Sequence, residues 1–301
     1  MKNNSNLING VPTKEVIGDK SLWPEVTRSN YFSNEMSRFY MGSTQFKKFI
    51  PAFGGCELSA MAELKGIYKP DVPDAFLAGS YGHAWNEGPM ALEKFKAEHP
   101  EMYSSRGATK GQLKSQFKVI GDCIEAIETD PFMMKALEGD KEKIFVAEMF
   151  GMPWKVQLDV YNESRGAFVD LKFLKALDDK KWNVELQLYE HIFEAYGYYL
   201  QSALYAEAER LSQERNDHYQ PFLAVVTKEK VPDKALISFV SDEESHSDFI
   251  NQQLAIAAGY ADRIRQVKYE GAEPIGCGKC DYCKSIKKLT GTTHYSQFSI
   301  Y

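Results

Sequence analysis

The chain has 301 residues, of which 44% are hydrophobic and 26% are charged, as in an ordinary soluble globular protein. It carries 36 basic and 42 acidic side chains, and the resulting net charge of −6 counts against tight non-specific DNA binding over the whole surface. No apolar run approaches the length of a membrane span, and the first residues lack the apolar core of a secretory signal. We therefore expect a cytoplasmic protein without a membrane partner.

Turn-forming residues and apolar periodicity divide the chain into predicted elements. Residues 1–30 are polar and contain two prolines, and they are predicted to form an irregular arm before a single domain over residues 31–301. The further elements, in chain order, are two helical pieces within 40–65, a helix from about Ala75 towards Phe95, helices at 111–129 and 131–137, strands at 143–150, 153–161 and 166–174, a helix at 184–213, strands at 222–227 and 235–239, and a helix from Ser241 to about 267. Ser241 and Glu244 have the spacing of a capping box for the last helix.

Two neighbouring predicted strands carry charged side chains on one face. In the first, apolar residues from Trp154 to Val160 face one side and alternate with polar residues that include Asp159, which is typical of a half-buried strand. In the second, Asp170 and Lys172 share a face because they are two residues apart. If the turn centres near residues 164–165, Asp159 falls opposite or diagonal to Asp170.

This pattern brings two carboxylates and an amine to one place on a sheet. Close carboxylates repel each other, and a hard divalent cation such as Mg²⁺ or Mn²⁺ removes the conflict because it prefers oxygen ligands. A lysine beside such an ion can orient a water molecule or stabilise transition-state charge on a phosphate. The pattern therefore indicates metal-assisted phosphodiester hydrolysis, although a surface hairpin with a solvated Asp–Lys pair would give the same short motif.

These residues resemble the motifs of the PD-(D/E)XK nuclease superfamily, in particular its exonuclease branch related to RecB, RecE (exonuclease VIII) and lambda-type exonucleases. That branch has an Asp on one strand, (D/E)-x-K on the next, a Q-x-x-x-Y helix after them and a G-x-x-x-H segment before them. The chain has all four parts in the expected order along the sequence. The upstream segment ends at His83, the first strand carries Asp159, the triplet ends at Lys172 and the helix motif ends at Tyr205. It departs from the branch at Phe173, where Thr or Ser is usual.

The resemblance implies a restriction-endonuclease-like αβββαβ core, that is, an α/β fold with a mixed β-sheet flanked by helices, with extra N- and C-terminal helices. It also implies that His83, Asp159 and Asp170 ligate the metal and that Lys172 is catalytic. Glu87, one helical turn after His83, is a second candidate ligand or a hydrogen-bond partner for the imidazole ring.

Gln201 and Tyr205 lie four residues apart and so share one face of the predicted helix. The resemblance implies that they orient the active site or contact DNA. The alternative from the pattern alone is an amphipathic helix with Tyr205 in the core. Glu148, on the strand before Asp159, is a further carboxylate that we expect to be solvated.

Four of the five cysteines form a second candidate site. Cys277, Cys280 and Cys283 follow one another in two C-x-x-C steps within a C-terminal tail at about 270–290, and this spacing in a cytoplasmic protein favours a metal over disulfides. Cys56 is the candidate fourth ligand for Zn²⁺ or a [4Fe–4S] cluster, and reduced thiols without metal are the alternative. Cys123, on an apolar helix face, is expected to be a buried core residue.

The sequence thus predicts a metal-dependent DNA exonuclease that acts on duplex ends. The resemblance implies phage-type recombination with a single-strand annealing recombinase as partner, and it is compatible with an oligomer because ring oligomers occur in the group. Two alternatives remain open. The first is a nuclease-fold module that binds nucleic acid without cutting it, and the second is an endonuclease of the same superfamily.

Overall fold

The computed structural model of the chain describes residues 7–8, 11–71, 74–183, 187–240 and 245–298. Its helices are α1 (Lys14–Gly18), α2 (Asn34–Phe39), α3 (Ser43–Lys48), α4 (Glu57–Leu64), α5 (Asp74–Glu87), α6 (Pro89–Glu98), α7 (Ser115–Glu128), α8 (Pro131–Ala136), α9 (Ile192–Ala195), α10 (Tyr198–Ser212), α11 (His246–Tyr269) and α12 (Asp281–Ser285). Its strands are β1 (Leu7–Ile8), β2 (Val11–Pro12), β3 (Asp140–Met149), β4 (Met152–Asn162), β5 (Ala167–Leu174), β6 (Lys180–Asn183), β7 (Leu188–His191), β8 (Gln220–Thr227) and β9 (Lys234–Ser238).

The largest sheet has the strand order β3–β4–β5–β8–β9. Strands β5 and β8 are parallel, and the other neighbouring pairs are antiparallel. The turns that join β3 to β4 and β4 to β5 contain Gly151 and Gly166, whose φ angles of 66° and 59° glycine adopts without steric cost. The parallel step from β5 to β8 needs a crossover, which includes α9 and α10. The predicted α/β fold with a mixed sheet is confirmed.

Helices cover both faces of this sheet. On one face, α10 and α11 bury a core that includes Trp154, Leu204 and Ile264. On the other face, α5 and α7 pack a second core that includes Phe117 and Leu171. Burial on both sides explains why β4 and β5 are buried along nearly their whole length, without the polar face of a half-buried strand.

Strand β4 changes face at Asp159. Leu158 packs in the core under α10 and α11, whereas Val160 packs in the core under α5 and α7, so the prediction that both face one side is wrong. The register of β3 and β4 places Glu142 opposite Asp159, and Glu142 has a φ of 53°. A left-handed conformation at a residue other than glycine interrupts the regular pleat of β3, and it occurs at the level of the sheet where β4 changes face.

The helix predicted from Ala75 towards Phe95 is divided into two. Helix α5 ends before Gly88, whose φ of 125° is accessible mainly to glycine, and α6 begins at Pro89. Proline at the first helical position has no N–H to leave unpaired, so it starts a helix favourably. His83 therefore lies near the C-terminal end of a helix that stops one turn later.

The helix predicted over residues 184–213 is wrong in its first part. Residues 188–191 form β7, which pairs with β6, and helical structure begins only at Ile192. Tyr189, Phe193 and Tyr196 have helical spacing, but Tyr189 lies in the hairpin and only the later two lie in or beside helices. Residues 184–186 lie outside the described part of the chain, as does the predicted cap at Ser241.

Part of the N-terminal arm is packed against the domain. Val11 and Ile17 are buried in the core under α10 and α11, and Trp23 contacts Phe39 and Tyr40 edge to face. The expected irregular arm therefore contains β2 and α1, although the boundary at residue 30 stays a prediction. Within the described ranges, no helix combines the length and the apolar content that crossing a bilayer demands.

Candidate active site

The three residues of the predicted carboxylate–lysine motif lie together in the middle of the sheet. The pairing of β4 with β5 joins Val160 to Val169, and the same register continued by one residue puts Asp159 opposite Asp170. At that point the Asp159 carboxylate accepts a hydrogen bond of 2.7 Å from the Leu171 backbone N–H. The described pairing of β4 with β5 ends at Val160 and Val169. The Asp159 side chain therefore binds a backbone N–H of β5 that would otherwise bond to the backbone of the neighbouring strand.

One group of potential metal ligands has the compactness that a single cation requires. Ligand atoms of His83, Glu142 and Asp159 all lie within 4.8 Å of one another, and His83 Nδ1 is 3.4 Å from Asp159 Oδ1. Asp170 is not in this compact group among the described residues. Glu142 was not predicted from the sequence, because it belongs to no motif and precedes the expected strand start at Lys143.

The charges of this group are poorly balanced without a cation. Burial would raise the pKa of Asp159, but His83, Lys172 and the Leu171 N–H lower it to about 2. Burial and the neighbouring Asp159 charge together raise the pKa of Glu142 to about 7. An imidazole and two crowded carboxylates are donors that a divalent metal accepts, and the mutual repulsion of the carboxylates fits such an ion.

Asp170 is paired with Lys172 on the same strand face. Lys172 Nζ lies 2.6 Å from Asp170 Oδ2, and both side chains have little contact with solvent. Burial would lower the pKa of Lys172, but Asp170 and Asp159 raise it to about 12. Lys172 is therefore fully protonated at neutral pH, and its ammonium group lies 5.6 Å from the centre of the Tyr198 ring. The lysine is placed to act as a fixed positive charge.

Gln201 connects the carboxylates to a second lysine. Its amide nitrogen donates to Tyr205 Oη at 3.2 Å and to Asp170 Oδ1 at 3.5 Å. Its amide oxygen accepts a hydrogen bond of 3.0 Å from Lys47 Nζ. Burial, followed by the Lys172 charge, lowers the pKa of Lys47 to about 8. Lys47 on α3 was missed because no spacing in the sequence relates it to Gln201, 154 residues away.

Phe173 fills the position where the exonuclease branch usually has Thr or Ser. A Cβ atom built on Gly82 would lie 2.2 Å from the Phe173 ring, so α5 approaches β5 closely only because residue 82 is glycine. The Phe173 ring also contacts His83 edge to face, with 6.3 Å between the ring centres. His83 is thus held by an apolar contact with Phe173, at the position where the exonuclease branch usually has the hydroxyl group of Thr or Ser.

The two other acidic candidates lie in surface ion pairs. Glu87 is 2.5 Å from Arg28 of the N-terminal arm, and it does not belong to the compact ligand group in the described chain. Glu148 is about half exposed and lies 3.3 Å from Lys20, which agrees with the expectation of a solvated residue.

The four cysteines of the second candidate site converge. Their sulfur atoms all lie within 4.8 Å of one another, and Cys56 Sγ is 3.6 Å from Cys283 Sγ. Backbone N–H groups of Lys279 and Cys280 point at Cys277 Sγ at 3.4 and 3.2 Å. Burial would raise the pKa of Cys277, but these N–H groups help to lower it to about 6. Thiolates are the form that binds metal. Cys123 is buried elsewhere, as expected.

The chain is similar to nuclease-fold proteins. A family model described as a PDDEXK-like domain of unknown function (DUF3799) matches residues 42–286, which include the carboxylates, Lys172 and all five cysteines. A crystal structure from Eubacterium rectale, described as a "Putative exonuclease", is 31% identical and has a TM-score of 0.81 over 92% of this chain and 99% of that chain. No curated protein sequence matches the chain significantly.

Proposed function

The chain belongs to the PDDEXK-like family DUF3799 of the PD-(D/E)XK superfamily, and on that premise we propose that it is a metal-dependent DNA exonuclease acting on the ends of duplex DNA. The family and the fold support a nuclease. The single observation that carries metal-dependent hydrolysis is the convergence of Asp159, Asp170 and Lys172 on one part of the sheet beside the compact His83–Glu142–Asp159 group. Action on duplex ends rests on the resemblance to the exonuclease branch.

The proposed cation is Mg²⁺ or Mn²⁺, held by His83, Glu142 and Asp159, with Asp170 completing the ligand set. A bound divalent cation lowers the pKa of a water molecule and offsets negative charge on a phosphate. Lys172 supplies positive charge to the phosphate oxygens as negative charge develops on them, since its pKa of about 12 keeps it protonated.

Gln201 and Tyr205 position the other groups. Because Gln201 bonds to Asp170 and Lys47 at once, it fixes the carboxylate and sets a second ammonium group beside it. Tyr205 Oη holds the Gln201 amide in the orientation that directs its oxygen to Lys47. Both residues thereby orient the groups of the site, Asp170 and Lys47, that would meet the phosphate.

We expect Mg²⁺ to be required for degradation of end-labelled linear duplex DNA, and a covalently closed circle of the same sequence to be spared. EDTA should abolish the reaction. Equal cutting of the circle would identify an endonuclease of the same superfamily, and binding without any cleavage would identify a nuclease-fold binding module. A role in phage-type recombination and an annealing recombinase as partner are part of the proposal, and co-purification with such a recombinase tests them.

The four cysteines are proposed to hold a structural metal that ties the C-terminal tail to α4. A tetrahedral Zn²⁺ site has Zn–S bonds of about 2.3 Å, which place its sulfur atoms about 3.8 Å apart. The four sulfur atoms here all lie within 4.8 Å of one another, and those of Cys56 and Cys283 are 3.6 Å apart. A [4Fe–4S] cluster would interpose four iron atoms and spread the thiolates further, so zinc fits the compact arrangement better.

A further inference from the structure

A cavity of about 300 Å³ lies between α8 and the main sheet. On the sheet side it is lined by apolar side chains of β5, β8 and β9, which include Val169, Phe222 and Leu236, and on the other side by Phe132 of α8. The Phe132 side chain is 68% exposed, so it marks the part of the cavity that is open to water. Ligand sites in proteins take about 300–1,000 Å³, so this cavity has room for one large apolar side chain of a ligand.

The sheet separates this cavity from the catalytic pair. Val169 packs in the core under α5 and α7. Successive residues of a strand point to opposite faces, so Asp170 and Lys172 point away from the cavity. The nuclease reaction therefore gives no reason for an apolar cavity at this place.

The cavity reaches one edge of the main sheet. Strand β9 is the last in the strand order, and β8 alone pairs with it among the described strands. The Thr227 N–H donates to the Asp233 carbonyl oxygen at 2.8 Å. In the antiparallel register, every second residue from there, namely Ala235 and Ile237, then bonds to β8. The N–H and C=O groups of Leu236 consequently point away from β8, while its side chain lines the cavity. An edge of this kind can pair with a further strand.

The rim of the cavity carries one positive charge more than its ion pairs use. Arg165 lies 2.6 Å from Glu138, and Lys234 of β9 lies 3.4 Å from Asp130. The Lys135 side chain also lines the cavity and is exposed, and within the described ranges its ammonium group meets neither a carboxylate nor another hydrogen-bond acceptor. A ligand with a carboxylate near its apolar side chain complements this rim.

We propose that the cavity and the β9 edge together bind an extended peptide of a partner protein, which adds an antiparallel strand to β9. Residues opposite each other across two strands lie on the same face, so the peptide residue opposite Leu236 places its side chain in the cavity. This residue is large and apolar, and an acidic residue two positions away, on the same face, pairs with Lys135. Backbone hydrogen bonds give affinity, and the cavity selects the side chain. Binding on this face leaves Asp170 and Lys172 uncovered, so the proposal is independent of the proposed function.

A random peptide library displayed on phage, selected against the folded protein in EDTA, tests the proposal. We expect enrichment of sequences with a large apolar residue and an acidic residue two positions away. For a fluorescein-labelled copy of an enriched peptide, measured by anisotropy, Phe132→Ala should weaken binding about tenfold or more and Lys135→Glu about fivefold or more. Phe132→Leu and Lys135→Arg should stay within about threefold of the wild type, which shows that the losses do not come from unfolding. N-methylation of the apolar peptide residue removes the N–H that bonds to Leu236 and should abolish binding.

Phe76→Ala is the matched control, since Phe76 is 69% exposed on α5 and does not line the cavity. Its affinity for the peptide should equal that of the wild type. The docking site is refuted if no sequence is enriched or if Phe132→Ala binds the peptide like the wild type, and normal binding of the N-methylated peptide excludes the added strand. Displacement of the peptide by a single-stranded oligodeoxythymidylate would make nucleic acid the occupant. Self-association in sedimentation that Phe132→Ala removes would make it a second copy of the chain, and either result contradicts the proposal.

Discussion

At the residue scale, Asp170 and Lys172 are fixed by their 2.6 Å ion pair inside the sheet. We expect Lys172→Ala to lower Mg²⁺-dependent DNA hydrolysis by about 10²-fold or more, because a preorganised charge on the phosphate is lost. Its metal affinity should remain, whereas Asp170→Ala should lose both hydrolysis and metal affinity. Calorimetric titration with Mn²⁺ separates the two effects. Lys175→Ala, at an 82% exposed lysine just after β5, is the control, and wild-type cleavage by either site variant would contradict the assignment.

Glu142 offers a sharper test of the ligand group, since no sequence motif includes it. Glu142→Gln removes one of two crowded carboxylates, and we expect Mn²⁺ affinity to fall about tenfold or more. Glu148 lies on the same strand, in a surface ion pair with Lys20, and Glu148→Gln should bind Mn²⁺ like the wild type. Equal affinity of the two variants would show that Glu142 holds no metal.

The residues of the site differ in how far the sequence could predict them. Asp159 and Asp170 follow from strand periodicity and one short turn, which are local properties. His83 is 76 residues from Asp159, so it could be predicted only from the family resemblance. Glu142 and Lys47 depend on a left-handed backbone and on long-range packing, respectively, and neither has a signature in a single sequence.

At the element scale, α5 lies so close to β5 that residue 82 has no room for a side chain. A Cβ atom on Gly82 would lie 2.2 Å from the Phe173 ring, whereas a Cβ atom on Gly79 would meet nothing within 4 Å. We expect Gly82→Ala to lower the free energy of unfolding by about 1–3 kcal/mol, because the buried ring must move. It should also weaken Mn²⁺ binding, since His83 is the next residue along the helix.

Gly79→Ala is the matched control in the same helix, and its effect should have the opposite sign. Alanine loses less backbone entropy than glycine on folding, so we expect a gain of about 0.5–1 kcal/mol in urea unfolding. Of the two glycines that precede His83 in α5, only Gly82 has a neighbour close to the position of a Cβ atom. Two variants of equal stability would contradict the close approach of α5 to the sheet.

Elements with one dominant pattern were predicted well, and those with two competing patterns were not. Helix α7 has a clear apolar face that is buried in the structure, and its predicted range contains the observed one. The β6–β7 hairpin was hidden because its aromatic residues also match a helical period. Trp182 and Tyr189 of this hairpin are exposed, so their spacing reflects no core face.

At the scale of the whole molecule, the tail is docked on α4 by contacts that need no metal. The Glu57 carboxylate on α4 accepts a hydrogen bond of 2.8 Å from the Ile275 backbone N–H, and Arg263 of α11 lies 2.7 Å from that carboxylate and donates to the Glu273 carbonyl oxygen at 2.8 Å. Tyr68 and Tyr282 pack with 5.1 Å between ring centres. These contacts bring Cys56 beside the three tail cysteines and so preorganise the site, which a metal would then lock.

That arrangement determines what removal of the metal should do. Cys56 and Cys277 are 221 residues apart, so a metal between them closes a very long loop, and its binding free energy becomes folding free energy. We expect about one equivalent of zinc in the purified protein, and a melting temperature at least about 5 °C lower after treatment with a strong chelator. Cys56→Ser should melt lower and no longer respond to the chelator.

Cys123→Ala separates this effect from simple loss of a buried thiol, since Cys123 is buried with its sulfur 3.2 Å from the Thr227 carbonyl oxygen, away from the four. The variant should melt lower than the wild type through its core cavity, yet keep its zinc and its full response to the chelator. Brown protein absorbing near about 400 nm after anaerobic purification would replace zinc with an iron–sulfur cluster at the same thiolates. Protein that carries no metal under either condition and melts identically with and without chelator would show that the four thiols are only neighbours, held together by the docking of the tail.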